Sequence, residues 1–197
     1  MSLQTMVVMA LAALLIFWAV GAYNRLVRLK NIIANAFGQI DVQLKRRYDL
    51  IPNLVEATRK YLSHEKDTLE AVIAARNQAR SASEAVRSRP GRAEGVVALA
   101  AAEQTLAGSL GQLFALSEAY PELKADQTIR ELSEELTSTE NKVGFARQAY
   151  NDAVLDYNNA QAQFPALLIA RLFSFAPSQV LRATESAAER QAVRIQL

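Results

Sequence analysis

The residue types that carry most enzymatic chemistry are nearly missing from this chain, which has one histidine, His64, and no cysteine. A helical di-iron site needs Glu-x-x-His on each of two helices, and it is Tyr61 that stands three residues before His64. His64 and Glu65 offer at most two ligands to a surface metal, and a solvated helix pair explains them as well. With a single histidine, no thiol and no sharp glycine elbow, a nucleophilic triad lacks its parts. Gly108 and Gly111 fall at helical spacing among leucines, not in a phosphate-cradling GxGxxG turn after a strand. These residues predict no enzyme and no cofactor.

Two polar clusters remain. Arg46, Arg47, Asp49, Pro52, Asn53 and Glu56 follow one another closely. They read either as a docking site at a tip of the molecule or as ion pairs closing a turn. In the second reading Arg46 or Arg47 pairs with Asp49 and Glu56, and unpaired backbone N–H groups are satisfied. Glu140, Asn141, Arg147, Asn151, Asp152 and Asn158 share one stretch with an apolar seam. They form either an inter-helix hydrogen-bond network that fixes register or the lining of a ligand pocket.

The elements that must position these clusters are helices. Hydrophobic residues make up 51% of the chain, while Gly (7) and Pro (5) are scarce among 197 residues, a balance that favours long helices over sheet. A first amphipathic helix carries Leu26, Leu29, Ile33, Ala36 or Phe37, Ile40 and Leu44 and is predicted to end near Tyr48. Pro52 suits the first turn of a helix, so Asp49-Leu50-Ile51-Pro52 is read as a tight turn capped by Asp49, the alternative being a kink in one continuous helix. A second helix then runs from Pro52 to about Ser83, and Ser88-Arg89-Pro90-Gly91-Arg92 forms a surface loop. The third covers about Ala93 to Ala119, with Leu99, Leu106, Leu110 and Leu113 on one face, and Tyr120-Pro121 stops it. Asp126 to Thr128 suit a cap for the fourth. Its seam of Leu132, Leu136, Thr139, Val143, Ala146, Tyr150, Ala153, Tyr157, Ala160 and Phe164 alternates steps of four and three, a heptad. Four such helices with short connections predict an elongated antiparallel bundle of roughly 40–50 Å at 1.5 Å per residue.

Before the bundle, Met1 to Asn24 carry no charged side chain, and Arg25, Arg28 and Lys30 follow at once. About 20 apolar helical residues span the roughly 30 Å core of a bilayer. A cleaved signal peptide is the competing reading, but no basic stretch precedes the apolar run. Trp18 and Tyr23 suit an interfacial belt, and the basic flank of Arg25 and Arg28 places the bundle on the cytoplasmic side, with a periplasmic bundle as the alternative. The lipid bilayer is therefore the first partner expected. Small residues at Ala10, Ala12 and Ala13 allow a homo-oligomer or a membrane-protein partner. The 22 basic and 20 acidic side chains nearly cancel and form no basic stripe, which argues against nucleic acid.

Four antiparallel helices return the chain to the membrane end. There Phe164 to Phe175 is too short to span, and Arg171 makes spanning costlier. It reads either as an interfacial segment with Arg171 snorkelling to headgroups, or as a lid that buries Leu168, Phe173 and Phe175. From Gln179 onward a polar terminal helix is predicted. The expected organisation is a transmembrane anchor over 1–24, a four-helix bundle over 25–164, and an amphipathic segment with a polar C-terminal helix over 165–197.

Four blocks in order carry a family resemblance. Tyr23-Asn24-Arg25-Leu26-Val27-Arg28-Leu29-Lys30-Asn31 resembles the start of a LemA family protein. So does the run from Gln39 through Lys45-Arg46-Arg47-Tyr48-Asp49-Leu50-Ile51-Pro52-Asn53-Leu54-Val55-Glu56. Glu118-Ala119-Tyr120-Pro121-Glu122-Leu123-Lys124 and Thr139-Glu140-Asn141-Lys142-Val143-Gly144-Phe145-Ala146-Arg147-Gln148-Ala149-Tyr150-Asn151-Asp152 are similar to the family's pattern as well. The resemblance implies one N-terminal membrane helix, an antiparallel four-helix bundle and no established enzymatic activity. The family is broadly bacterial, with one branch associated with magnetosome membranes. Gly38 and Gly144 depart from the pattern, since relatives often carry bulkier side chains there. The function expected is that of a membrane-anchored, non-enzymatic scaffold or adaptor in the bacterial inner membrane. The alternatives are a small-ligand or metal-dependent activity inside the bundle, and, by family analogy alone, an accessory subunit of a membrane protease.

Overall fold

Ser2 caps the first helix, its Oγ accepting the Thr5 N–H, and the uncharged stretch beyond it holds no helix breaker. In the computed structural model, which describes residues 2–182, α1 runs unbroken over Leu3–Arg59. Its 57 residues extend about 85 Å at 1.5 Å per residue. The first part is exposed, and it is long and apolar enough to cross a membrane. From Leu26 onward the same helix is the central element of the core, burying Ile33, Phe37, Ile40, Leu44, Ile51, Leu54 and Thr58. There is no break at residue 24.

The expected turn at 49–52 is absent, because Pro52 lies inside α1. A proline in a helix interior withholds the N–H that would bond the carbonyl four residues earlier, here that of Tyr48. Arg76 supplies the missing donor from the neighbouring helix, its Nε lying 2.9 Å from the Tyr48 oxygen. With that carbonyl satisfied, the helix continues to Arg59 and the chain turns over 60–65 instead.

The return helix α2, Lys66–Ser88, buries Leu69, Val72, Ala75, Ala79 and Val86. It runs antiparallel to α1, since Ser83 meets Asp41 and Arg76 meets Tyr48. Gly91, with φ +84°, occupies the left-handed region at the following turn. Helix α3, Ala93–Ala119, buries Val96, Leu99, Ala102, Leu106, Leu110 and Leu113, the face that the leucine spacing predicts. A single short helix, α4 (Pro121–Ala125), tucks Leu123 under the far end. Then α5, Gln127–Ala162, runs back along α1. Asp126 Oδ1 caps it, accepting from the N–H groups of Thr128 (3.0 Å) and Ile129 (3.2 Å).

The tight pairs are α1 with α5, α2 with α3, and α1 with α2. Among the described residues the fold is all-α, an antiparallel up-down-up-down arrangement of four long helices. The α5 seam is buried at Leu136, Thr139, Val143, Tyr150, Ala153, Tyr157 and Ala160. Leu132 and Ala146 are half-buried against the core, and Phe164 lies outside the seam: α5 ends at Ala162, and Phe164 is 81% exposed. Neither Gly38 nor Gly144 has a heavy atom within 4 Å of where a Cβ would stand, so packing does not require glycine at either position.

At the end where the apolar stretch enters the bundle, α6 (Ala166–Leu172) packs across α1 and α5. It buries Ile169 and Ala170 against Leu26 and Ala160, with Ala19 and Ala22 alongside, small residues that let the helices approach closely. The lid reading is thus corrected in its residues. Leu168 and Phe173 are exposed, Phe175 is half-buried, and Tyr23 meets the rings of Phe173 and Phe175 edge-on at 4.8 and 5.5 Å. Beyond Ser174, residues 175–182 are extended and not helical, so the helix predicted from Gln179 is absent as far as Arg182. The rest of that prediction lies outside the described residues.

Candidate functional site

On α1 the positions 33, 37, 40, 44, 47, 51, 54 and 58 alternate steps of four and three, which puts Arg47 on the core seam. On α3 the positions 99, 103, 106, 110 and 113 do the same, which puts Glu103 there. The two meet inside the bundle: Arg47 Nη1 lies 2.8 Å from Glu103 Oε2, and the Tyr48 hydroxyl donates to Glu103 Oε1. Arg47 is 5% exposed and Tyr48 3%. Glu140 of α5 adds a second carboxylate, 4.0 Å from Arg47 Nη2.

Burial pushes the Glu103 carboxyl up, while Arg47 and the Tyr48 hydrogen bond oppose that shift. Burial also pushes the Tyr48 phenol well above its usual range, and the charge on Glu103 adds to this. Arg47, Glu103, Glu140 and Arg147 line a cavity of about 80 Å³, which Leu181 helps to close. Each Glu103 oxygen holds one donor from α1, so the carboxylate ties α3 to α1. Burying an ion pair at seam positions fixes helix register at some expense of stability.

The polar residues of α5 divide into three fates. Glu140, its side chain 64% exposed, and the half-buried Arg147 stand at the rim of this cluster. Asn141 and Asp152 are exposed. Asn151 and Asn158 hold the chain's own tail and not another helix. Asn151 Nδ2 donates to the Leu181 carbonyl (3.1 Å) and its Oδ1 accepts the Leu181 N–H (2.8 Å). Asn158 treats Ser178 the same way, at 2.8 and 2.9 Å. The hydroxyls of Tyr150 and Tyr157 donate to the carbonyls of Gln179 (3.0 Å) and Ala176 (2.9 Å). Burial pushes the Tyr150 phenol up to about 12.

The cluster around Pro52 does not assemble as predicted. Arg46 reaches across to Glu135 of α5, with Nη2 2.5 Å from Oε1, and Arg47 turns into the core. Asp49 sits 3.8 Å from Arg76, Asn53 is exposed, and Glu56 pairs with Arg59 on the same helix face. Since α1 continues past them, these residues lie along the bundle's flank and not at its tip. The tip is held by Asp126, whose Oδ2 takes Lys60 Nζ and the Tyr61 hydroxyl, each at 2.9 Å. Those contacts draw the Asp126 carboxyl down to about 2, from an ordinary value of 3.8. A depressed carboxylate stabilises the fold above its unfolded pKa and ceases to do so as pH falls through the folded one. The protection factors of the Thr128 and Ile129 amides, taken against their intrinsic exchange rates, are therefore expected to fall as pH drops from near 3.8 toward 2, and Asp126→Ala is expected to show the loosened state already at neutral pH.

At the opposite end Trp18 is 38% exposed, and Arg25, Arg28 and Arg171 are exposed. His64 is exposed on the distal turn, and no group of three His, Cys, Asp or Glu side chains converges among the described residues. Glu103 is the site residue that sequence reasoning missed. Its signal was there, an acid interrupting the leucine heptad of α3.

These features define a class: an all-α bundle carried on one N-terminal helix of membrane-crossing length. The chain belongs to the LemA family, whose model matches residues 36–197. Comparison with curated proteins gives no match.

Proposed function

We propose that the chain is a membrane-anchored, non-enzymatic scaffold or adaptor that positions protein partners, or further copies of itself, at a bacterial inner membrane. The observation that carries this reading is the continuity of α1, in which one helix is both the apolar stretch and the spine of the bundle core. Exposed apolar residues of one segment (Phe164, Leu168, Leu172 and Phe173) lie beside the point where that stretch leaves the bundle. Such residues suit the interfacial layer of a bilayer, with Arg171 reaching the headgroups. Arg25, Arg28 and Lys30 on the bundle side of the apolar stretch favour a cytoplasmic bundle.

The test is to solubilise the full-length protein mildly and measure its mass by light scattering after size exclusion, identifying co-eluting proteins by mass spectrometry. A homogeneous oligomer, or a stoichiometric second protein such as a membrane protease, supports the proposal. A lone monomer overturns it. A second reading, small-ligand binding inside the bundle, is favoured by the cavity beside Glu103 and Arg147. It predicts a thermal shift with some member of a panel of small anions.

A further inference from the structure

The charges of this chain are unevenly placed. Residues 1–40 and 157–181 contain no Asp or Glu, and their only charged side chains are Arg25, Arg28, Lys30 and Arg171. All four are exposed near the point where the apolar stretch enters the bundle. None of them enters an ion pair among the described residues. The acids that balance the chain as a whole lie elsewhere in the sequence, so this end is positive.

A pocket opens at the same level. On α1, Trp18, Gly21, Ala22 and Arg25 follow at steps of three and four and share one face. Gly21 has no heavy atom within 4 Å of where a Cβ would stand, so this face is notched between the indole and the guanidinium. Gln163 and Phe164, at the corner between α5 and α6, form the opposite wall of a cavity of about 330 Å³. The notch runs about 10.5 Å along the helix, from an apolar ring to a fixed cation. That sequence of polarities matches an acyl chain followed by a phosphate. We infer that the pocket holds one anionic phospholipid, its acyl chain against Trp18 and Phe164 and its phosphate on Arg25. The inference rests on the membrane-anchored reading, which puts Trp18 at the edge of the hydrocarbon and Arg25 among the headgroups, so that lipid is the molecule meeting this face. A guanidinium takes a phosphate with two parallel hydrogen bonds. Arg28 and Arg171 add a positive field that favours a net negative headgroup over a zwitterionic one.

The chain's single tryptophan lines this pocket and reports on it. The full-length protein is placed in phosphatidylcholine vesicles in which a small fixed fraction of lipid carries bromine on its acyl chains, a contact quencher of indole fluorescence. Brominated phosphatidylglycerol is expected to quench Trp18 as a lipid bound about fivefold more tightly than brominated phosphatidylcholine. Arg25→Gln is expected to bring the two lipids close to parity. So is Gly21→Leu, which fills the notch and leaves every charge in place. Lys30→Gln, five residues on and about 140° round the helix from Arg25, is expected to keep the preference. Equal quenching by the two lipids in the wild-type protein overturns the site. A preference that falls equally in Arg25→Gln and Lys30→Gln, or that survives Gly21→Leu, overturns it too. Loss of the preference on adding excess glycerol phosphate overturns it in favour of a soluble ester. No quenching by either lipid overturns the anchored reading together with the site, whereas parity overturns the site alone.

Discussion

Replacing Glu103 by alanine is expected to lower the stability of the bundle by about 3–5 kcal/mol, because it leaves the Arg47 guanidinium buried without its partner. A whole domain is typically stable by only about 5–15 kcal/mol, so urea titration followed by circular dichroism reads this loss easily. The Tyr48 hydroxyl loses its acceptor in the same substitution. Removing both charges is a different matter. Arg47→Met with Glu103→Leu and Tyr48→Phe fills two seam positions with apolar side chains, leaves no buried hydroxyl without an acceptor, and is expected to be neutral or to stabilise by about 1–4 kcal/mol. A single-variant cost under about 1 kcal/mol would mean that water reaches the pair and that the burial argument is wrong.

A second large effect is expected at the proline. Arg76→Leu leaves the Tyr48 carbonyl without a donor and is expected to cost about 1–3 kcal/mol. In a Pro52→Ala background an N–H returns to the same carbonyl from within α1, so Arg76→Leu is expected to cost at least about 1 kcal/mol less there. This double-mutant cycle isolates the compensation from the other contacts of Arg76, among them Asn77 and Asp49. Strict additivity of the two substitutions would refute the compensation.

The same proline shows where the sequence was legible and where it was not. The heptads of α3 and α5 declare their buried faces, since a helix pays no attention to distant residues when its own spacing is regular. Pro52 obeys a local rule that predicts a helix start. The residue that cancels the rule, Arg76, lies 24 positions away and on another helix. Glu103 was readable as a charge at a leucine position, but its partner depended on which helices met. The tail was the least legible part. Eight residues of extended chain carry no period, and the side chains that hold them, Asn151 and Asn158, look like any polar residues bordering a core. The repeat of Tyr150-Asn151 at Tyr157-Asn158 acquires meaning only when an extended strand lies beside it.

The unbroken α1 has a mechanical consequence. With its apolar part in a bilayer, the helix is a lever with no hinge at the surface, and the other helices brace its outer arm. From Leu26 to Arg59 that arm is about 50 Å long. Membrane-crossing helices tilt by about 20° on average, which carries the distal tip about 17 Å sideways. A local change in bilayer thickness that alters the tilt by a few degrees would thus move the Asp126 tip by several ångströms.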